Sequence, residues 1–205
     1  MTQPKGWWPD ALLLVGFVGL TLALAAGWLL GSDVAVAHWV DAHRPGPLDL
    51  AARIGNYLGQ GAVLTGIAAV VALFLGVRRR SLRPLVPVVV AFALTFGTLT
   101  LLKVLTERPA PHAPLTHPER FGLGGASYPS GHLVNAIVWY GVLVLLLAQW
   151  LPLPVQRWVR LVPPVVLAVT TVYLGYHWLT DTIAGILLGL LLYRLIRRLP
   201  EDRSA

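Results

Sequence analysis

Three short stretches of this chain carry side chains able to bind and transfer an anionic group. They are Lys103-Val-Leu-Thr-Glu-Arg108-Pro109, Tyr128-Pro129-Ser130-Gly131-His132 and His177-Trp-Leu-Thr-Asp181. Pro129-Ser130-Gly131 precedes a long apolar run and reads as a helix start, where free N–H groups and the positive dipole end favour a bound anion. Gly131 lets backbone approach a phosphate closely, and the Ser130 hydroxyl can add a hydrogen bond. Lys103 and Arg108 supply positive charge for the same anion. His177 and Asp181 are four residues apart, which puts them on one face if a single helix carries both. If the helix breaks between them, Asp181 reaches the imidazole from its own first turn. Either way, a carboxylate at one ring nitrogen fixes the tautomer and leaves the other nucleophilic. His132 is then available as an acid. Two histidines without metal-ligand spacing point to acid–base and nucleophilic roles, with no metal or other cofactor expected.

Taken singly, each feature has an ordinary structural explanation. Ser130-Gly131 is a common helix cap, His177 with Asp181 could be a polar pair at a helix end, and Lys103 could be snorkelling to an interface. The case for a site rests on the elements that bring the three stretches together.

Those elements are membrane spans. Of 205 residues, 56% are hydrophobic and only 12% are charged. Several apolar runs approach the roughly 20 residues needed to cross a bilayer. Six spans are expected at about 11–30, 60–77, 85–104, 132–151, 159–176 and 179–196, making one all-α, membrane-embedded domain over 1–205. The first has an apolar core longer than that of a signal peptide and is expected to be retained. Segment 32–59 is too polar to cross. Its apolar residues, spaced around Arg44-Pro45-Gly46-Pro47, suit two short amphipathic helices in the interface, with His38 and His43 as interfacial polar residues. The second and fifth spans carry the weakest signals, the fifth because Pro163-Pro164 falls near its start.

The net charge of +7 is distributed as topology signals rather than as a nucleic-acid surface. With the N-terminus inside, the cytoplasmic segments hold Lys5, Arg78, Arg79, Arg80, Arg83, Arg157, Arg160, Arg194, Arg197, Arg198 and Arg203. The outside set is Arg44, Arg53, Lys103, Arg108 and Arg120, so the count is eleven against five. Both termini are therefore expected in the cytoplasm of a multi-pass plasma-membrane protein. All six histidines and Asp181 then fall on the outer side. Interfacial ionisable groups not needed for topology mark a site, so the three stretches converge on one extracytoplasmic face. The absence of cysteine excludes disulfides and thiolate chemistry.

At these residues the chain resembles the type 2 phosphatidic acid phosphatase superfamily, the lipid phosphate phosphatases related to vanadium haloperoxidases. The family motifs are K-x6-R-P, P-S-G-H and S-R-x5-H-x3-D. Pro129-Ser130-Gly131-His132 matches the second completely, and His177 and Asp181 match the end of the third. Two departures stand out. Six residues on from Lys103 the chain has Ala110-Pro111, the Arg-Pro of this stretch, Arg108-Pro109, coming two residues early, and Thr170-Thr171 replaces Ser-Arg. Arg108 is the candidate substitute for the first family arginine, and Arg120 or Arg53 for the one missing at Thr171.

The resemblance implies a lipid substrate and a phosphohistidine on His177, oriented by Asp181, with His132 protonating the leaving oxygen. It further implies that Lys103, Arg108, Ser130 and the Gly131 N–H hold the phosphoryl oxygens and that no metal takes part. A phosphotransferase of the same fold and a non-catalytic lipid-phosphate binding protein are the rival expectations. Polyprenyl phosphate or diphosphate, phosphatidylglycerophosphate and phosphatidate are all open as substrates, and no oligomeric state is implied.

Overall fold

The computed structural model describes residue 4 and residues 6–199; Lys5 and Arg203 of the charge inventory lie outside the described residues. Among the described residues every regular element is helical. The order is α1 (Trp8–Ala25), α2 (Leu30–His43), α3 (Gly46–Asn56), a 3₁₀ turn (Tyr57–Gly59), α4 (Gly61–Arg79), α5 (Leu85–Thr106), α6 (Gly131–Leu147), α7 (Leu153–Tyr173) and α8 (Leu179–Ile196). Helices α1, α4, α5 and α8 are long and apolar enough to cross a membrane. Helix α6 is apolar over 17 residues, and α7 runs for 21 with Gln156, Arg157 and Arg160 in its first turns.

The two largest departures from the expected boundaries have identifiable reasons. Helix α1 stops at Ala25 because Gly27 and Leu29 take positive φ angles of 85° and 65°, turning the chain into α2. Helix α7 starts at Leu153, six residues before the expected 159. Pro152 caps it and Pro154 occupies its first turn, a position with no intrahelical donor to lose. Pro163 and Pro164 therefore lie inside α7 rather than near its start, each removing one ladder donor.

Helix α6 is the hub, packing against α8, α7, α4 and α5. Within α8, 61% of the apolar window is buried in the protein, against 17–22% for α1, α4 and α5. Helices α6 and α8 thus form the interior, and the other three turn apolar faces outward to lipid. The α6–α8 contact depends on small residues, the usual means of close helix approach in a membrane. A Cβ on Gly185 would stand 2.8 Å from the Ser130 carbonyl oxygen, and one on Gly189 3.1 Å from the Ile137 side chain. This approach seats the start of α6 beside the first turn of α8.

Because successive long helices run in opposite directions, the end of α5, the start of α6, the end of α7 and the start of α8 meet at one end of the bundle. At the other end Asp10 of α1 binds Arg194 Nε at 2.6 Å and the Arg198 guanidinium. Arg198 also stacks 3.6 Å from the centroid of the Trp7 ring. That clamp ties α1 to α8 away from the reactive side chains.

The glycine contact makes a prediction of opposite signs. Gly185→Ala should push Ser130 and lower the melting midpoint in detergent, as overpacking by about 1–3 kcal/mol does. Gly19→Ala on α1, where an added Cβ meets nothing within 4 Å, should be neutral or stabilising. Equal midpoints for the two variants would show that α6 and α8 do not approach as described.

Candidate active site

His177 lies in the break between α7 and α8, so the reading that puts it and Asp181 on one helix does not hold. The turn is made by Gly175 at φ 66°, with the His112 ring packed where a side chain would stand. The N–H groups of Tyr176 and His177 both return to the Thr171 carbonyl, fixing the His177 backbone. Asp181 sits in the first turn of α8 and accepts the Trp178 N–H at 3.1 Å on Oδ2. It therefore caps its own helix while facing His177.

The link between the two is indirect. His177 Nδ1 is 3.7 Å from Asp181 Oδ2, too far for a hydrogen bond. Ser127 Oγ stands between them, 3.2 Å from Nδ1 and donating to Oδ2 at 2.5 Å. Nδ1–H thus donates to a hydroxyl that itself donates to the carboxylate, and Nε2 has no hydrogen-bond partner among the described residues. An imidazole held this way has the nucleophilic tautomer. Ser127 is a site residue that sequence reasoning missed.

The His132 ring faces His177 edge-on, with centroids 5.8 Å apart. Its Nε2 is 3.1 Å from Asn56 Nδ2 at the end of α3, while Asn56 Oδ1 is buried with no partner. As oriented, the amide donates to a neutral imidazole; turned over, it would accept from a protonated one. That is a fitting neighbour for a ring that gains and loses a proton.

At the start of α6 the first N–H groups are beyond reach of the helix's own carbonyls. Ser130 is fully buried, and its Oγ has no partner. Lys103 Nζ lies 4.0 Å from the Cβ position of Gly131 and donates to the Ala126 carbonyl at 2.6 Å. The cation, the helix terminus and the histidine pair therefore share one locality.

Arg108 requires a correction. It is fully buried, with Nε donating to the Glu119 carbonyl at 2.8 Å, Nη1 to Asp181 Oδ1 at 2.6 Å and Nη2 to Asp33 Oδ2 at 2.6 Å. Nη1 also donates to Thr180 Oγ1, and the rings of Phe121 and Trp178 lie 5.7 and 5.5 Å from the guanidinium carbon. Four of its five N–H donors are committed to protein acceptors and the side chain has no exposed surface, so it holds Asp181 rather than a phosphate. Asp33, from α2, completes the clamp by accepting the Thr180 N–H and hydroxyl. Neither Asp33 nor Asn56 was legible as a site residue in the sequence.

The other candidates fall outside this cluster. Thr171 is buried, and its hydroxyl donates to the Leu167 carbonyl within α7, so only its backbone serves the site. Arg120 is exposed and 4.0 Å from Glu119. Arg53 is tied to Asp49 at 2.6 Å and reaches the Tyr176 hydroxyl at 3.4 Å, one residue before His177. Tyr128 anchors the loop from below: its buried hydroxyl meets Thr21 Oγ1 at 2.6 Å. Burial pushes its pKa up to about 12, so it stays neutral.

A model of the PAP2 superfamily matches residues 84–205, more than half of the chain and all three reactive stretches. The chain belongs to the PAP2 superfamily. Phosphatidylglycerophosphatase B of Bacillus subtilis (strain 168) is 39% identical over 118 residues, covering 53% of this chain and 56% of that protein. The crystal structure of a transmembrane PAP2-type phosphatidylglycerolphosphate phosphatase from Bacillus subtilis matches with a TM-score of 0.72 and 29% identity. That match covers 92% of this chain and 94% of the other. The chain is thus a PAP2 protein with a transmembrane PAP2 fold, in which Arg108 is internal to the protein.

The clamp gives a stability prediction. Arg108→Ala leaves Asp33 and Asp181 as buried carboxylates without their shared cation, a change of about 3–5 kcal/mol. That should lower the melting midpoint by roughly 6 °C or more at this chain length. An Arg108→Ala protein that melts like the parent would remove the clamp from the account.

Proposed function

We propose that this chain removes a phosphate group from a membrane lipid through a phosphohistidine intermediate at the extracytoplasmic face. The observation that carries the reading is His177, with Nδ1 engaged by the Ser127–Asp181 pair and the His132 ring opposite. A merely structural histidine has no use for a second imidazole facing it at a helix N-terminus beside a lysine.

In this reading the Nε2 lone pair of His177 forms a bond to phosphorus as the bond to the lipid oxygen breaks. His132 gives that leaving oxygen its proton. A water then attacks phosphorus, passes a proton to His132 and frees His177 as inorganic phosphate departs. Asp181, through Ser127, supports the positive charge on the imidazole, and Arg108 and Asp33 hold Asp181 in place. Lys103 and the α6 N-terminus stabilise the phosphoryl oxygens, where preorganised donors act most strongly. In this reading these groups carry the electrostatic task without a metal.

The names of both similar proteins favour phosphatidylglycerophosphate as substrate among the open lipids. The face follows from the eleven-to-five distribution of basic residues. The six-span count adds α6 and α7, which run between the same bundle ends, to the four helices long and apolar enough to cross a membrane.

Purified protein given phosphatidylglycerophosphate, phosphatidate and a polyprenyl diphosphate in parallel should release phosphate fastest from the first, at a rate unchanged by chelator. His177→Ala should abolish release, Lys103→Ala should cost about 10²–10³ in rate, and Arg120→Ala should stay near the parent. A His177→Ala protein that still turns over, or a rate that collapses with chelator and returns with a divalent ion, would defeat the mechanism. Orientation is checked by single cysteines in this cysteine-free chain. Position 117 should react with an impermeant thiol reagent in intact cells and positions 80 and 157 should not; the reverse pattern moves the chemistry to the cytoplasm.

A further inference from the structure

A groove of about 450 Å³ opens between α6, α7 and α8 in the half of the bundle away from His177. Its length is lined by apolar side chains, among them Leu161, Val165, Ile186 and Leu190, and no acidic residue lines it. At one end stand Arg157 and Arg160 from the first turns of α7, together with Tyr193 from the last turn of α8. From Arg157 to Ala168 the groove follows eleven residues of helix, about 16 Å. That is close to half of the roughly 30 Å hydrocarbon core, the depth of one leaflet. Exposed Trp150 and Trp158 flank the arginine end, where interfacial aromatics sit at headgroup level.

The polar end is prepared for an anion. Arg157 is exposed and forms no ion pair among the described residues. Arg160 spends its Nε on the Gln156 carbonyl at 3.0 Å. Tyr193 is only 7% exposed; its hydroxyl has the Arg160 guanidinium as a neighbour but makes no hydrogen bond of good geometry among the described residues, and no acceptor takes its proton. The Arg197 guanidinium lies over the same ring at 5.8 Å. Buried hydroxyls normally find a partner, and here an oxygen of a ligand in the groove mouth would supply one.

We propose that the groove binds an anionic phospholipid of the leaflet opposite the active site. One acyl chain lies along α7, the phosphate meets Arg157 and Arg160, and the Tyr193 hydroxyl donates to a phosphate or ester oxygen. The proposal rests on α6–α8 crossing the membrane and not on the reaction at His177. Ile186 and Ala168 of the groove lining pack against Leu133, Ala136 and Leu167, next to His132 in the first turn of α6. Occupancy therefore braces the α6–α8 contact from the far side.

The test uses the full chain in neutral detergent, titrated with dioleoyl phosphatidylserine or dioleoyl phosphatidylcholine, lipids with identical chains. The serine lipid should raise the melting midpoint saturably, and the choline lipid should do so at least tenfold more weakly. The double variant Arg157→Gln/Arg160→Gln should lose that preference, and Tyr193→Phe should weaken it. Ala168→Trp, which fills the groove without touching the arginines, should block both lipids. His177→Ala must keep the full response, which separates this site from the catalytic one. Equal stabilisation by the two lipids, or an undiminished serine-lipid response in either the double variant or Ala168→Trp, overturns the proposal.

Discussion

The guanidinium of Arg108 is fully buried, and its position decides most of what surrounds it. A buried cation survives only where acceptors meet it with good geometry. Here Asp33, Asp181, Thr180 and a carbonyl from the connecting loop do so. These partners come from α2, α8 and the 107–130 segment, parts of the chain that no apolar packing alone would register to within a few tenths of an ångström. One carboxylate oxygen of Asp181 is fixed by Arg108, and the other is left for Ser127 and the start of α8. The geometry offered to His177 is thus inherited from an ion cluster one layer deeper.

Such a cluster can persist because the bundle around it excludes water by close packing. Helix α6 approaches α8 through Gly185 and Gly189, which places the Ser130 N–H on the Asp181 carbonyl at 3.0 Å. The start of α6 is thereby bonded to the start of α8, and His132 is held against the turn that carries His177. In lipid no hydrophobic force between helices would achieve this, since the solvent is as apolar as the side chains. Small residues and buried polar contacts set the distance instead.

How much of this the sequence disclosed varied with the kind of interaction. The helical class and its close ties to the PAP2 superfamily were legible, because apolar runs and the Pro129-Ser130-Gly131-His132 motif are local patterns. His132, His177 and Asp181 were legible as candidates for the same reason. Asp33 and Asn56 were not, since each enters the site from the 30–59 segment and nothing in their neighbourhood signals a partner more than seventy residues away. Ser127 stood next to a motif but is an ordinary loop serine until His177 is placed beside it. Arg108 was recognised as important and given the wrong contact, because a sequence shows charge but not which way a guanidinium faces.

The arginine departures acquire a physical sense once Arg108 is internal. Its +1 charge lies between two carboxylates, so the Asp33–Arg108–Asp181 unit places net negative charge beneath His177, the nucleophile of the proposed reaction. A negative unit there favours a positive imidazole above it and disfavours an incoming phosphate. The second effect must be offset at the surface of the pocket, where Lys103 and the α6 N-terminus are the groups in place. Positive charge behind the histidine would strengthen phosphate binding and weaken the nucleophile together. In the proposed reaction, cations on the phosphate side and carboxylates behind His177 keep the two demands apart.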